Sequence, residues 1–284
     1  MGPAALATES RSRTWNGSAP SEHTYAASVT ARGQVVPDEK EDAGPPSSTA
    51  SWARPTGVVW LLFFVASGLS EVFFRMAGIS GISTVSGDGA SIASTLATHQ
   101  DAFRAGFAFS LILIVLYAVL MALFYRLLRP VNATLAVAAL VLSMIALTVQ
   151  AFGAVPQLMA FSLATGTSSL QAFSDSQSYG LMLFLFRMYL QGYTVALIFW
   201  GPFWLLVAYL VYRSTFFPRL LAVPLALEGL GALTLLWPPL AAIAPFAIVA
   251  GVAELVFMLW LLVRGVDEQR WRERDGLTRR VVIA

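Results

Sequence analysis

Beyond Pro55 the chain is dominated by six long apolar stretches, over about 57–77, 105–128, 133–155, 180–212, 220–237 and 243–263. Each is near the ~20 residues that a helix needs to cross about 30 Å of hydrocarbon. Backbone N–H and C=O groups in hydrocarbon must be bonded within the protein, so only helices or a closed barrel can span it. Barrel strands alternate apolar and polar residues, and these stretches do not. Composition points the same way. Of 284 residues, 57% are apolar and 12% charged, too few charges to clothe a soluble domain. The expected fold is all-α, a six-span transmembrane helix bundle over 56–266.

The flanks differ from this core. Residues 1–55 are rich in Ala, Ser, Thr, Gly and Pro, carry the mixed-charge cluster Asp38, Glu39, Lys40, Glu41 and Asp42, and show no sustained periodicity. Such a segment buries too little apolar surface to offset its ordering entropy, so a disordered N-terminal tail is expected. A secretory signal would place an apolar stretch within roughly the first 30 residues; here the first begins at Gly57, so the tail is expected to be retained. Residues 267–284 read as a short basic cytoplasmic tail.

The fourth stretch is overlong, about 33 residues or near 50 Å as a helix. A turn near 187–192 would leave a first span too short, so a single crossing over 192–212 is expected. Residues 180–190 then continue into the outer interface, and Pro202 is the expected kink because it removes a backbone donor. Charge supports this count. The segments on one side hold Arg54, Arg126, Arg129, Arg213, Arg219, Arg264, Arg270, Arg272, Arg274, Arg279 and Arg280, whereas the other side has Arg75 and Arg104 at helix ends. The asymmetry predicts both termini on the cytoplasmic face of the cell membrane.

Ionisable residues within spans are the strongest pointers to function. Glu254 precedes Arg264 by about 15 Å of helix, and Glu228 follows Arg219 by a similar rise, so both fall near the bilayer centre. Glu254 shares a face with Ala247, Ala250 and Gly251, and Glu228 with Pro224, Gly231 and Ala232. Small faces let helices approach closely, which turns both carboxyl groups into the bundle. A charge at mid-span costs about 2.5–3.5 kcal/mol, against about −4 to −7 from the apolar residues of the last span, so insertion succeeds either way. Uncharged carboxyl groups bridging two helices are the plain reading; a proton or substrate site is the functional one.

A second candidate is an outer-side polar cluster of Glu71, Arg75, Arg187 and Gln191. Glu71 and Arg75 are one turn apart, the spacing of an interfacial ion pair. Arg187 lies about 39 Å from Arg213 along one helix, at the outer surface. Gln150, Gln157 and Gln191 fall at the same level, which suggests an outward-facing polar cavity. Trp52, Trp237 and Tyr212 read as interfacial anchors.

Other chemistries lack their residues. The chain has no cysteine and only His23 and His99, so no metal, cofactor or catalytic residue is expected. Serines are plentiful without a Gly-x-Ser-x-Gly elbow. The glycines of 78–101 lack a following Gly-Lys-Ser/Thr, and that loop reads as a flexible external connection. Basic residues do not interleave with aromatics, so nucleic acid is not an expected partner. The expected partner is the lipid bilayer, with anionic lipid at Arg264, Arg270, Arg272 and Arg274, each worth about 1 kcal/mol near the surface. No internal repeat is visible, and an oligomer remains open.

Several stretches carry a family resemblance. They are Tyr125 to Asn132 between spans two and three, Gln191, Gly192 and Tyr193 with Ile198 to Gly201, Tyr209 to Ser214 leading to Phe217, Pro218 and Arg219, and Glu254 and Leu255 with Leu259 to Leu262 and Arg264, Gly265 and Val266. In this order, over 57–266, the chain resembles the bacterial membrane family catalogued as domain of unknown function 4386. The resemblance implies six helices and supplies neither substrate nor catalytic residue. Where many relatives carry a histidine early in the fourth span, Tyr189 stands here.

These features favour a structural or regulatory multi-pass membrane protein acting through lipids or partners. The alternative is a small-solute or proton-coupled permease using the mid-membrane glutamates. An enzyme is the weakest fit.

Overall fold

The computed structural model describes residues 52–79, 88–166, 173–237, 239 and 246–283. The expected disordered tail lies almost wholly outside these residues. All of them belong to one compact unit, Ser48–Ala284. They form helices α1 (Ala53–Met76), α2 (Gly89–Thr98), α3 (Gln100–Leu128), α4 (Ala133–Ala164), α5 (Asp175–Arg213), α6 (Ala222–Leu233), α7 (Phe246–Val263) and α8 (Glu268–Ile283), with 3-10 turns Arg219–Leu221 and Thr234–Leu236 flanking α6. No strand occurs among the described residues. The fold is all-α.

Five segments are long and apolar enough to cross a bilayer: α1, α3, α4, α5 and the run Arg219–Leu236. A sixth is reached with Val249–Val263, which meets Glu268–Leu277 at 98°. The apolar part of that bent pair is α7, 18 residues long, or about 27 Å at helical rise. The helices close a ring: α1 packs on α3, α3 on α4, α4 on α5, α5 on α6, α6 on α7, and α7 back on α1. Large aliphatic residues line the outside, among them Leu62, Val65 and Val72 of α1 and Ile112 and Val115 of α3. A belt of that kind suits lipid, because soluble monomers rarely expose contiguous apolar surface on this scale.

Local sequence explains the ends of the rods. Pro55 sits in the first turn of α1, where backbone N–H groups have no intrahelical partner to lose. Ser174 starts α5 by accepting from the Gln177 backbone N–H at 3.4 Å, and the Gln177 side chain accepts from the Ser174 N–H at 2.9 Å. This reciprocal cap begins one continuous helix of 39 residues containing Pro202, about 58 Å long. The overlong fourth helix is therefore a single rod.

Two sequence expectations change. The third apolar stretch does not stop at 155, since α4 runs through Pro156 to Ala164. Part of the loop expected to be flexible is α2, whose Ile92, Ala93 and Leu96 bury against Phe103, Phe161, Met182 and Phe186. At ten residues it is too short to stand out as a span or to hold as a helix alone, and packing against α4 and α5 stabilises it.

At the opposite end, which carries most of the arginines, the basic C-terminal segment forms α8. Gly265, at φ 67°, makes the turn into it, a left-handed conformation that favours glycine. The Trp271 indole N–H donates to Leu127 O at 3.0 Å, and Arg129 meets Asp275 at 3.0 Å. Arg270 and Arg274 donate to Thr215 O and Arg213 O. Arg126 lies 3.7 Å over the Trp52 ring. The contacts of Arg270, Trp271, Arg274 and Asp275 hold α8 across the ends of α3 and α5.

Candidate functional site

The ring encloses two polar regions. The first is at mid-length. Glu228 on α6 and Glu254 on α7 have carboxyl groups within interaction range of each other. Glu228 is 2% exposed and Glu254 half-buried. Trp204 of α5 lies beside Glu228 and Trp60 of α1 beside Glu254. The two indoles stack with centroids 6.1 Å apart, and Phe124 and Phe257 meet Trp60 edge-on at 5.2 and 5.8 Å. Within this aromatic enclosure Glu228 Oε2 and Trp60 Nε1 are buried with no hydrogen-bond partner among the described residues.

Close backbone approach puts Glu228 there. A Cβ on Gly229 would lie 2.8 Å from Gly201 O, and one on Gly201 would lie 3.0 Å from Gly229 O. Glycine at both positions brings α5 and α6 together, and the residue before Gly229 faces inward.

The second region is a cavity of about 120 Å³ between α1, α3, α4 and α5. Its polar lining is Ser67, Ser70 and Glu71 from α1, Ser110 from α3, Gln150 and Gln157 from α4, and Tyr189 and Tyr193 from α5. It lies between two apolar clusters, Phe63 fringing the one at the arginine end and Phe74 belonging to the other. Gln157 is 2% exposed, and Gln150 Oε1 is buried without a hydrogen-bond partner.

Tyrosines connect the two regions. Tyr189 is in electrostatic range of Glu71 and Tyr193, Tyr193 of Glu254, and Tyr117 of both glutamates and Tyr193. Glu71, Tyr189, Tyr193 and Glu254 thus form a line of groups each near enough to feel the charge of the next, with Tyr117 alongside. Phe63 stacks on Tyr117 at 4.5 Å and walls this line from α1.

Of the outer cluster, the structure joins Glu71 and Arg75 at 2.7 Å, with side-chain exposures of 25% and 72%. Arg187 and Gln191 are exposed and do not line the cavity, whereas Gln150 and Gln157 do. Sequence reading passed over Ser67, Ser70, Ser110, Tyr193, Trp60 and Trp204. A signal was there for some of them. Ser67, Ser70, Glu71 and Phe74 recur at the spacing of one helix face, as do Gln150, Ala154 and Gln157, and Tyr189 and Tyr193. Trp60 and Trp204 carry no such mark in an apolar helix. Among the described residues no group of His, Cys, Asp and Glu could hold a metal ion.

At the arginine end, Arg272 pairs with Glu268 at 3.4 Å and Arg270 with Asp267 at 3.2 Å. Arg264 and Arg270 border an open hollow that also includes Thr215, Trp260 and Asp267.

The apolar belt, the spanning helices and the polar interior define a multi-pass helical membrane protein. The chain belongs to the family described as Domain of unknown function (DUF4386), whose model matches residues 56–265. No curated protein and no solved structure matches it.

Proposed function

We propose that the protein is a proton-linked permease for a small polar solute, with Glu228 and Glu254 holding the exchangeable proton. The carrying observation is Glu228. Its carboxyl group is almost wholly buried and lies in hydrogen-bonding range of the Trp204 indole and of a second carboxyl group, that of Glu254. An ionisable residue at this depth that faces the bundle interior is by default a candidate for proton or substrate handling. Two carboxyl groups in contact favour sharing a proton over holding two charges. The cavity and tyrosines lead toward this pair from one end, while Trp60, Trp204, Phe124 and Phe257 seal it toward the arginines. That is the arrangement of a site reached from one side at a time.

The test is proton entry into liposomes that contain the reconstituted chain and a trapped pH indicator. Entry above that of empty liposomes, falling in Glu228→Gln and in Glu254→Gln, supports the reading. Entry that survives both substitutions sinks it.

A structural or regulatory role through lipids is the second reading. It is favoured by the arginine end, where Arg264, Arg270, Arg272 and Arg274 gather beside α8. Two of these, Arg270 and Arg274, are engaged in holding α8, which leaves Arg264, and Arg272 with its exposed Glu268 pair, as the better contacts for anionic lipid. The same asymmetry supports a cell-membrane location with both termini cytoplasmic. Native mass spectrometry from anionic and zwitterionic nanodiscs would read it: retained anionic lipid, lost in Arg264→Gln with Arg272→Gln, is the expected result.

A further inference from the structure

Three aromatic rings stand between the cavity and the carboxyl pair. At its end nearest the arginines the cavity is bounded by Phe63 of α1, Ile114 of α3 and Tyr193 of α5. Tyr117 comes three residues after Ile114 on α3, a further rise of about 4.5 Å. Its ring is 6% exposed and packs against Phe63 at 4.5 Å and Trp200 of α5 at 4.6 Å. The three rings therefore bridge α1, α3 and α5. Two turns further along the same face of α3, Phe124 meets Trp60, the indole beside Glu254. This order puts the ring plug below the cavity and above the glutamates. Phe63 carries no polar atom, and the Trp200 indole can only donate. A proton carrier has to take up one proton as it releases another, which among these three rings only the Tyr117 hydroxyl can do. That hydroxyl is in electrostatic range of both sides, Tyr193 on one and Glu228 and Glu254 on the other. The cavity suits water, because its serines, glutamines and tyrosines both donate and accept. Its volume of about 120 Å³ is several times the roughly 30 Å³ share of one water.

We infer that Tyr117 relays protons between this cavity and the carboxyl pair. Its hydroxyl gives its hydrogen to a glutamate carboxylate while the same oxygen takes a hydrogen from Tyr193 or a cavity water. One O–H bond breaks and another forms on that oxygen, so the phenol ends neutral and the carboxylate ends as an acid. The proton is drawn in turn from water reaching the cavity. The inference rests on the permease reading for net flow, but exchange at the carboxyl pair is measurable without transport.

The experiment is rapid-mixing infrared spectroscopy of the full chain in zwitterionic nanodiscs, following the carboxylic C=O stretch after transfer to deuterated buffer. The band of the pair is the one lost in Glu228→Gln or Glu254→Gln. Tyr117→Phe keeps the ring and its two contacts, and is expected to slow the deuterium shift of that band about tenfold or more. Phe63→Ala opens the plug to cavity water and is expected to speed it, which decides the question if thermal unfolding shows Tyr117→Phe to be misfolded. A wild-type rate in folded Tyr117→Phe overturns the inference, as does an unchanged rate in Phe63→Ala. No band lost in either glutamine variant leaves no proton to relay and overturns it too. Slowed exchange in Tyr117→Phe, with no proton entry through the wild type, would remove the permease reading alone.

Discussion

Arg129 and Asp275 meet at 3.0 Å although 146 residues separate them, joining the end of α3 to the C-terminal helix. The Asp275 side chain is 10% exposed and that of Arg129 39%. Removing the arginine takes this charge-assisted bond from a nearly buried carboxylate, which costs about 1–3 kcal/mol. Arg129→Gln is therefore expected to release α8 first, seen as faster hydrogen exchange over 268–277 with exchange in α3 little altered. Asp275→Asn should cost less, because an amide still accepts from Arg129. Equal exchange in wild type and Arg129→Gln would mean that α8 is held by other contacts.

The α5–α6 contact depends on two glycines that a hydropathy profile cannot rank. Gly229→Ala places a Cβ 2.8 Å from Gly201 O, where backbone must move, whereas a Cβ at Gly251 meets nothing within 4 Å. Overpacking of this kind costs about 1–3 kcal/mol, while alanine in an open helical position gains up to about 1 kcal/mol. Thermal unfolding in detergent should show a lowered midpoint for Gly229→Ala and an unchanged or raised one for Gly251→Ala. The reverse order would contradict the close approach.

Gln150 tests what an unpaired amide oxygen does to stability. Its Oε1 is buried and unsatisfied, so Gln150→Leu keeps the size and removes an unpaired acceptor. Such a replacement is expected to be neutral or stabilising, with an unchanged or higher unfolding midpoint. A midpoint lowered by more than about 1 kcal/mol equivalent would show that the amide completes a bond essential to the protein.

Much of the fold was legible because the bilayer restricts the choices. Apolar length marked the spans, and Arg129, Arg213 and Arg264 fall together at one end, where α8 meets the Arg129 side chain and the Arg213 carbonyl. What escaped was set by packing between elements distant in sequence. Helix α2 owes its place to Phe161 and Phe186, and α8 owes its place to Leu127 O and Arg129; neither partner is visible from within the segment. Glu228 and Glu254 stood out because a carboxyl group in an apolar run is conspicuous. Tyr189 drew notice only as the residue standing where many relatives carry a histidine, and Tyr193 only within the resemblance; neither was marked as part of a polar site, since tyrosine passes as an ordinary residue of an apolar helix. Their four-residue spacing was readable, but its meaning depended on knowing that Glu71 and Gln150 face the same space.

Whether ring closure brings Glu228 against Glu254 is tested most directly by a double-mutant cycle. Unfolding free energies would be measured for the wild type, Glu228→Gln, Glu254→Gln and the double variant. Direct contact predicts a coupling of about 1 kcal/mol or more, because residues that touch are not additive. Effects that add within about 0.5 kcal/mol would place the two carboxyl groups apart and contradict the paired site.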